Sequence, residues 1–198
     1  MSRDAVIIGC CGANLASLGF AVERLGVEAP ITVDPERVRR ASHVILPGVG
    51  AAEDAMTRLE EAGFIEVIPS LTQPVLGICL GMQLLFAGSD EDRAQCLNVV
   101  TAQVTELTPG PGFPVPHMGW NQLERTAESA LLDGITDGEY AYFVHSFAAP
   151  VGPYTRATSD YGGPFSAVIE QDNFYGTQFH PERSAELGAR ILANFFEL

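Results

Sequence analysis

Residues 75–83, Val75-Leu-Gly-Ile-Cys-Leu-Gly-Met-Gln83, join an apolar run to a helical pattern through a cysteine that is flanked by glycines. The run Val75–Ile78 predicts a buried strand, and residues 80–86 predict a helix directly behind it. Glycines stand two positions before and two positions after Cys79. A sharp turn from strand to helix needs such small neighbours, and G-x-C-x-G is the cysteine form of the nucleophile elbow.

Three more short apolar runs precede this segment, at residues 5–8, 31–33 and 44–46. Amphipathic helical patterns separate them, with apolar residues at spacings of three and four and with Asp34-Pro35 as a typical helix start. Short β-branched runs that alternate with helices favour an α/β fold, in which a largely parallel sheet is flanked by helices.

The second half of the chain has a different pattern. Residues 99–179 are rich in β-forming residues, glycine and proline, which predicts antiparallel additions to the same sheet. The apolar face of a predicted last helix consists of Leu187, Ile191, Leu192 and Phe195. No linker or shift in composition divides the chain, so we expect a single domain over residues 1–198.

The charge balance argues against several classes of partner. Eleven Lys and Arg residues oppose 25 Asp and Glu residues, which gives a formal net charge of −14. An anionic surface of this size repels nucleic-acid backbones and acidic lipid headgroups. No apolar stretch is long enough to span a bilayer, and the polar residues 2–4 are not typical of a secretory leader. We therefore expect a cytoplasmic protein with no nucleic-acid or membrane partner.

The four cysteines, Cys10, Cys11, Cys79 and Cys96, lack the paired spacing of a zinc site. The adjacent Cys10 and Cys11 are too close for an ordinary structural disulfide, which favours a reducing compartment. Gly9-x-x-Gly12 is weak evidence for a phosphate loop without the full dinucleotide motif. We therefore expect neither a metal nor an organic cofactor.

An elbow at Cys79 would expose the sulfur above the sheet edge, at the start of a helix whose N-terminus favours a thiolate. Backbone N–H groups at such a turn can also hold an oxyanion. The alternative is that Cys79 is a small buried apolar residue between glycines that permit close helix packing. The elbow by itself does not separate these interpretations.

A thiolate nucleophile needs a base, and residues 174–182 offer one. The stretch 174–179 predicts a strand, and His180-Pro-Glu182 follows it. Residues i and i+2 of an extended chain point the same way, so Glu182 would accept the proton of one imidazole nitrogen of His180. Alternatively, both are solvated residues at the end of a strand. Together with the elbow, they predict a hydrolytic triad of Cys79, His180 and Glu182.

These motifs and the segments between them resemble class I (triad) glutamine amidotransferases over essentially the whole chain. The general motifs are Gly77–Gln83 and Gln178–Ser184. Three further features resemble, more closely, the glutaminase subunits of imidazole glycerol phosphate synthase: Pro47–Gly50 followed by Met56, Pro116–Asn121, and Tyr142–Ser146. The resemblance implies a flavodoxin-like fold and hydrolysis of glutamine to glutamate and ammonia.

The resemblance also implies a role for each site residue. Cys79 attacks the glutamine amide, His180 transfers protons, and Glu182 orients His180. The implied oxyanion and substrate-binding residues are Gly48, Gly50, Leu80, Gln83, Ser146 and Phe147. An alternative for the two glycines is that they only form a tight turn. His117 and His145 are expected to be structural, because one histidine base suffices.

We expect no second catalytic domain in a chain of this length, and ammonia released into water becomes ammonium. The resemblance therefore implies that a separate cyclase subunit with the (β/α)8 barrel fold receives the ammonia through an internal passage. Asn14, Trp120 and Arg183 are the implied contacts to it. The isolated chain would hydrolyse almost no glutamine, because its oxyanion loop would be misaligned until the loaded cyclase binds. Two alternatives remain: the glutaminase subunit of another amidotransferase, and a non-catalytic flavodoxin-like binding module.

Overall fold

The computed structural model of the chain describes residues 4–12 and 14–198, so Ala13 of the Gly9–Asn14 loop lies outside the described residues. The strands are β1 (Ala5–Ile8), β2 (Ile31–Thr32), β3 (His43–Gly48), β4 (Val75–Cys79), β5 (Phe86–Ser89), β6 (Val100–Glu106), β7 (His117–Gln122), β8 (Glu124–Arg125), β9 (Tyr140–His145), β10 (Phe147–Ala148), β11 (Thr155–Asp160), β12 (Pro164–Gln171) and β13 (Phe174–Thr177). The α-helices are α1 (Leu15–Glu23), α2 (Pro35–Arg40), α3 (Ala52–Glu61), α4 (Leu80–Gln83) and α5 (Ala185–Phe195).

The main sheet, within the described residues, has the strand order β2-β1-β3-β4-β13-β12-β11-β8. The first five of these strands run parallel to one another. β12, β11 and β8 extend the sheet in antiparallel pairs. This topology confirms the predicted α/β fold, in which a largely parallel sheet carries antiparallel additions from the second half of the chain.

The prediction that residues 99–179 only make antiparallel additions to this sheet is wrong for several strands. β6 pairs with β5 and β10 in a separate sheet, and β7 pairs with β9 in a ribbon of its own. β13 enters the main sheet as a parallel strand between β4 and β12. Composition and periodicity indicate which residues are extended, but the choice of partner strand depends on contacts between distant segments.

The two faces of the main sheet are covered by different helices. Along β1, Val6 and Ile8 point into the core formed with α2 and α3, whereas Ala5 and Ile7 point into the core formed with α1 and α5. All four side chains are fully buried, as expected for a parallel strand covered on both faces. None of the helices within residues 4–12 and 14–198 is long and apolar enough to span a membrane.

The predicted helix over residues 80–86 is wrong beyond Gln83, because β5 begins at Phe86. The backbone carbonyls of residues 84–86 accept N–H groups from residues 97–99 instead of continuing a helix. Residues 80–86 are all buried, so the apolar run has no wet face that would distinguish a helix from a strand. The short α4 leaves the chain free to form the separate sheet beside the elbow.

The carboxyl ends of β3, β4 and β13 meet at one edge of the main sheet. Gly48 is in register with Cys79, and Thr177 is in register with Ile78. The residues that follow these strands, including His180, are therefore brought together at that edge. This is the edge at which open α/β sheets bind their ligands.

Gly81 lies where α4 crosses β3, and its replacement tests the packing of the elbow. A Cβ at Gly81 would lie 1.8 Å from the Leu46 carbonyl oxygen, which belongs to the backbone of β3. We expect Gly81→Ala to lower the free energy of unfolding by about 3 kcal/mol or more, measured by urea denaturation. Gly19→Ala is the matched control, because a Cβ at this α1 position meets nothing within 4 Å. It should stabilise by about 0.5–1 kcal/mol; equal effects of the two changes would contradict this packing.

Candidate active site

The elbow is formed at Cys79, the last residue of β4, immediately before α4. Its φ of 54° and ψ of −112° are costly for a residue with a Cβ. A Cβ at Gly77 would lie 2.7 Å from the Met82 backbone nitrogen, and Gly81 is equally constrained against β3. The turn therefore requires both flanking glycines, and it places Cys79 at the carboxyl edge of the sheet.

His180 and Glu182 follow β13 and meet Cys79 at this edge. Nδ1 of His180 lies 2.9 Å from Oε1 of Glu182, and the two side chains are only 8% and 7% exposed. Residues 181–183 form a 3₁₀ turn, so the expected extended geometry is wrong, although the predicted pairing of the two side chains is present. The His180 N–H donates to the Tyr142 carbonyl, which anchors the segment on β9.

The electrostatics of His180 favour its cationic form. Burial by itself lowers the pKa of His180, but hydrogen bonding and charge from Cys79 and Glu182 outweigh burial and raise the pKa to about 10. Nε2 is buried and has no hydrogen bond to an N or O atom of the described residues, and the Cys79 sulfur is the group that interacts with it. The arrangement suits an imidazolium held between a thiolate and a carboxylate.

A cavity of about 280 Å³ opens beside Cys79 and His180. Five of the residues that were predicted to bind the substrate line this cavity: Gly50, Leu80, Gln83, Ser146 and Phe147. Gly48 does not line this cavity; a Cβ there would lie 2.9 Å from the Gly81 nitrogen, so the glycine permits the close approach of β3 and α4. This contact favours the structural alternative for Gly48.

The side chain of Gln83 links the substrate cavity to the nucleophile. Its Nε2 donates to the Phe147 carbonyl at 2.8 Å and to Oε1 of Gln178 at 2.9 Å. Nε2 of the fully buried Gln178 in turn lies 3.8 Å from the Cys79 sulfur. Sequence reasoning found Gln178 only as part of a motif and assigned it no role. Its position two residues before His180, on the strand side of the turn, is the signal that could have singled it out.

Glu91 is a second residue near Cys79 that sequence reasoning missed, and it lines the cavity. Its Oε2 accepts the Ala52 N–H at 2.8 Å, which ties it to the start of α3, and its side chain lines the cavity. Glu91 belongs to a short 3₁₀ turn in which Asp92 and Arg93 have positive φ. Nothing in the local sequence indicates that this turn folds back onto the elbow.

His117 and His145 form a buried pair in which His145 lines the cavity, with His117 Nδ1 3.0 Å from His145 Nε2. His145 Nδ1 lies 2.9 Å from the Phe147 carbonyl, which can only accept, so Nδ1 donates and Nε2 accepts from His117. Burial lowers the pKa of His117 to about 4 and that of His145 to about 3. Both are therefore neutral at pH 7, in agreement with the structural role expected for them.

This pair predicts a specific pH dependence of stability. Because both folded-state pKa values lie below the ordinary value of 6.5, the unfolded state binds more protons between pH 6.5 and 4. The contribution of this pair to stability is therefore fully present above pH 6.5 and is lost as the pH falls towards 4. Each histidine contributes a slope of up to about 1.4 kcal/mol per pH unit in urea denaturation between pH 7 and 5.

His117→Gln removes one of the two titrating groups, so we expect a shallower loss of stability over the same pH range. The raised pKa of His180 affects stability in a different pH range. The contribution of His180 to stability is fully present below pH 6.5 and is lost as the pH rises towards 10. An identical slope in the wild-type and His117→Gln proteins would contradict the assignment of this pH dependence to the pair.

The residues predicted to contact a partner lie on the other side of His180. Asn14 and Arg183 line a second cavity of about 130 Å³, which also contacts His180 and Glu182. The Arg183 guanidinium lies over the Tyr142 ring, 4.4 Å from its centroid, and Trp120 packs edge-on against the same ring. Trp120 is 52% exposed, which is incompatible with a core position. Asn14 and Arg183 therefore lie beside His180, and Trp120 is exposed next to Tyr142, which Arg183 also contacts.

Within residues 4–12 and 14–198, no group of three or more His, Cys, Asp or Glu side chains is arranged to hold a metal ion. The polar side chains that line the cavity are instead one thiol, two imidazoles, one carboxylate, one carboxamide and one hydroxyl.

Comparisons with known proteins agree on one family. The sequence model described as "Glutamine amidotransferase class-I" matches residues 11–198. The chain is 52% identical over 195 residues to the "Imidazole glycerol phosphate synthase subunit HisH" of Xanthomonas campestris, with 98% of each chain covered. It is 50% identical over 196 residues to the protein of the same name from Yersinia pseudotuberculosis, with 98% of this chain and 100% of the relative covered.

Solved structures support the fold. A putative GMP synthase component from Thermoplasma acidophilum superposes with a TM-score of 0.78 at 18% identity, covering 100% of this chain and 94% of that one. A glutamine amidotransferase from Thermotoga maritima gives a TM-score of 0.67 at 19% identity, covering 94% and 80%. At these identities the likeness concerns the fold alone.

Proposed function

The chain belongs to the class I glutamine amidotransferase family, and from that premise we propose that it is a single-domain glutaminase subunit of imidazole glycerol phosphate synthase. The observation that carries the proposal is that Cys79 and His180 line one cavity at the sheet edge, while Glu182 is bonded to the other ring nitrogen of His180. The identity of about 50% over nearly the whole chain to proteins named as HisH supports this branch of the family.

The first half of the reaction forms a thioester. The Cys79 thiolate attacks the side-chain amide carbon of glutamine, and the carbonyl oxygen becomes an oxyanion. His180 carries a proton at Nε2, on the cavity side, and gives it to the amide nitrogen as the C–N bond breaks. Ammonia leaves, and the glutamyl group stays on the sulfur of Cys79. Glu182 holds Nδ1 and thereby fixes the ring orientation and stabilises the cation.

The second half releases glutamate. With its Nε2 now deprotonated, His180 takes a proton from water, whose oxygen attacks the thioester carbon. Collapse of this second tetrahedral intermediate breaks the C–S bond and returns the Cys79 thiolate beside the His180 cation. The balance is one glutamine and one water converted to one glutamate and one ammonia.

The cavity offers complementary groups for the rest of the substrate. The Glu91 carboxylate is an acceptor suited to the α-ammonium group of glutamine. The main chain at Ser146 and Phe147, and the Gln83 amide, line the same space. The Leu80 N–H, the first of α4, lacks an intrahelical acceptor and is the proposed oxyanion donor.

The loop of residues 48–50, which we call the Val49 loop, would supply the second oxyanion donor, and it is in a resting arrangement. The Val49 N–H donates to the Cys11 carbonyl at 3.2 Å, so it is not available to an oxyanion in the cavity. Gly50, with φ of 95°, is the point about which this loop can change conformation. The isolated chain is therefore proposed to have almost no glutaminase activity until a partner rearranges residues 48–50.

We propose a cyclase subunit of (β/α)8 architecture as that partner. Two cavities meet at His180: the substrate cavity, and the second cavity lined by Asn14 and Arg183. Ammonia released at Cys79 would thus have a route past His180 towards the proposed contact residues. The cyclase would use this ammonia to form imidazole glycerol phosphate and aminoimidazole carboxamide ribotide. A cytoplasmic location is part of the proposal and is consistent with four free cysteines.

Covalent trapping tests the glutaminase chemistry independently of the partner's identity. A chloroketone analogue of glutamine should alkylate Cys79, and peptide mass spectrometry should locate the added mass there. Excess glutamine should slow the labelling, because both compounds occupy one cavity. Labelling that ignores glutamine, or that spreads over all four cysteines, would favour a non-catalytic binding module. Specific labelling, combined with no response to the cyclase, would favour a different amidotransferase partner.

A further inference from the structure

The adjacent cysteines Cys10 and Cys11 are not used by the proposed reaction. They follow β1, in the loop that leads to α1, and their sulfur atoms lie 3.8 Å apart in a hydrogen-bonded contact. Cys11 is buried and Cys10 is half-buried, so Cys10 is the more accessible residue of the pair. Both cysteines are free.

The two thiols have unequal environments. The hydrogen bond from Cys11 lowers the pKa of Cys10 against the effect of burial, and the Arg58 cation lowers it further. The hydrogen bond to Cys10 and burial both raise the pKa of the Cys11 thiol. Asp54, which forms an ion pair with Arg58 at 3.0 Å, also faces this pair. Cys10 is therefore the nucleophilic thiol, and Cys11 is the protonated neighbour that can resolve an oxidised Cys10.

The same loop is bonded to the active-site loop. The Cys11 carbonyl accepts the Val49 N–H, and a Cβ at the intervening Gly12 would lie 3.8 Å from both the Val49 carbonyl oxygen and the Arg58 guanidinium. Val49 and Gly50 line the cavity that contains Cys79. A change in the backbone at Cys11 is therefore transmitted to the Val49 loop through one hydrogen bond.

We propose that Cys10 and Cys11 form a peroxide-sensitive dithiol, whose oxidation to a vicinal disulfide releases the Val49 loop. The Cys10 thiol first ionises, its thiolate attacks one peroxide oxygen, and the O–O bond breaks to give Cys10 sulfenic acid and hydroxide. The hydroxide takes up the proton that Cys10 had lost and becomes water. The Cys11 sulfur then attacks the Cys10 sulfur and displaces hydroxide, which takes the Cys11 proton and leaves as water. Two thiols are oxidised by two electrons in total, and one peroxide is reduced to two waters.

Ring closure must move the backbone. The sulfur atoms have to approach from 3.8 Å to a bond of about 2.05 Å, and the ring includes the Cys10–Cys11 peptide. Rotation at Cys11 displaces its carbonyl from Val49, so the N–H that was held away becomes available. A strained disulfide of this kind is readily reduced again, which makes the modification reversible.

The direction of the effect follows from the resting state. This part of the inference rests on the proposed function, because it assumes that the Val49 loop limits glutaminase activity in the isolated chain. Loss of one ordinary hydrogen bond that holds the resting loop should raise partner-free glutamine hydrolysis about fivefold. The rate with the loaded cyclase should change little, since the loop is already rearranged in that complex.

The test treats the full chain with low concentrations of hydrogen peroxide. Peptide mass spectrometry should show that the peptide with residues 10 and 11 loses two hydrogen atoms and regains them with dithiothreitol. Hydrogen exchange at the Val49 amide should become faster in the oxidised protein. Cys10→Ser should show neither change, whereas Cys96→Ser should show both, because Cys96 has no sulfur partner among the described residues and burial raises its pKa to about 11.

Glutamine hydrolysis by the same samples completes the test. The expected rise cannot come from damage to Cys79, since loss of the nucleophile lowers the rate. Absence of the two-hydrogen loss, or a disulfide that leaves Val49 exchange and partner-free hydrolysis unchanged, would overturn the inference. Failure of the proposed function would show itself differently, as an inactive reduced protein even with the loaded cyclase. In that event the peptide mass and the Val49 amide would still decide whether the pair oxidises and releases the loop.

Discussion

Cys79→Ala is expected to lower glutamate release from glutamine roughly 10⁴-fold or more, because no other group in the cavity can form the thioester. The measurement is glutamate production by the chain together with the loaded cyclase subunit. Among the described residues, the Sγ atom has long hydrogen-bond contacts of 3.8 Å to Gln178 and to the Val144 carbonyl and interacts with His180, so its loss should leave the fold intact. Thermal unfolding of the variant should confirm this.

Cys96→Ala provides the matched control for this prediction. Cys96 is also a free, partly buried cysteine, but it lies outside the cavity lined by Cys79. Its replacement should leave glutamate release within about twofold of the wild-type rate. Substantial turnover by a folded Cys79→Ala protein would contradict the covalent mechanism.

His180→Asn is expected to reduce glutamate release roughly 10³-fold or more, because the variant loses both the proton donor and the base. A second consequence distinguishes a catalytic role from a structural one. The variant has no cation beside the Cys79 sulfur, so alkylation of Cys79 by iodoacetamide at pH 7 should slow. Glu182→Gln should give a smaller effect in the same direction, since the imidazole stays in place but its cation loses a charged partner.

His43→Gln is the control for the histidine series. His43 is buried at the start of β3, at the opposite end of the sheet from the cavity, and packs edge-on against Phe195 and Phe196. Its replacement should lower stability but keep the rate of Cys79 alkylation at pH 7. If His43→Gln and His180→Asn slowed that alkylation equally, the role assigned to His180 beside the sulfur would be wrong.

Much of the fold could be predicted because local sequence and global fold agree in the first half of the chain. The glycines at positions 77 and 81 indicate a turn that only small residues permit, and the structure shows close backbone approach at both. The end of α4 could not be predicted, because it depends on carbonyls 84–86 pairing with residues 97–99. The apolar pattern of residues 80–86 does not indicate that pairing.

The site shows the same division. The pairing of His180 with Glu182 follows from their short separation, although the backbone between them is a 3₁₀ turn and not a strand. Gln178 and Glu91 were missed because their contacts join segments that are remote in sequence: Gln178 reaches Gln83, and Glu91 reaches Ala52. A motif specifies which residues are near each other along the chain, whereas these two contacts exist only after the sheet has formed.

The most direct test of the proposed function is glutamate release by the chain with and without a purified cyclase subunit loaded with its nucleotide substrate. We predict that the loaded cyclase raises glutamate release roughly 100-fold. We also predict that imidazole glycerol phosphate forms in equal amount from glutamine as the only nitrogen source. A rate that is already high without the cyclase, or that does not respond to it although Cys79 is labelled by the glutamine analogue, would contradict this function.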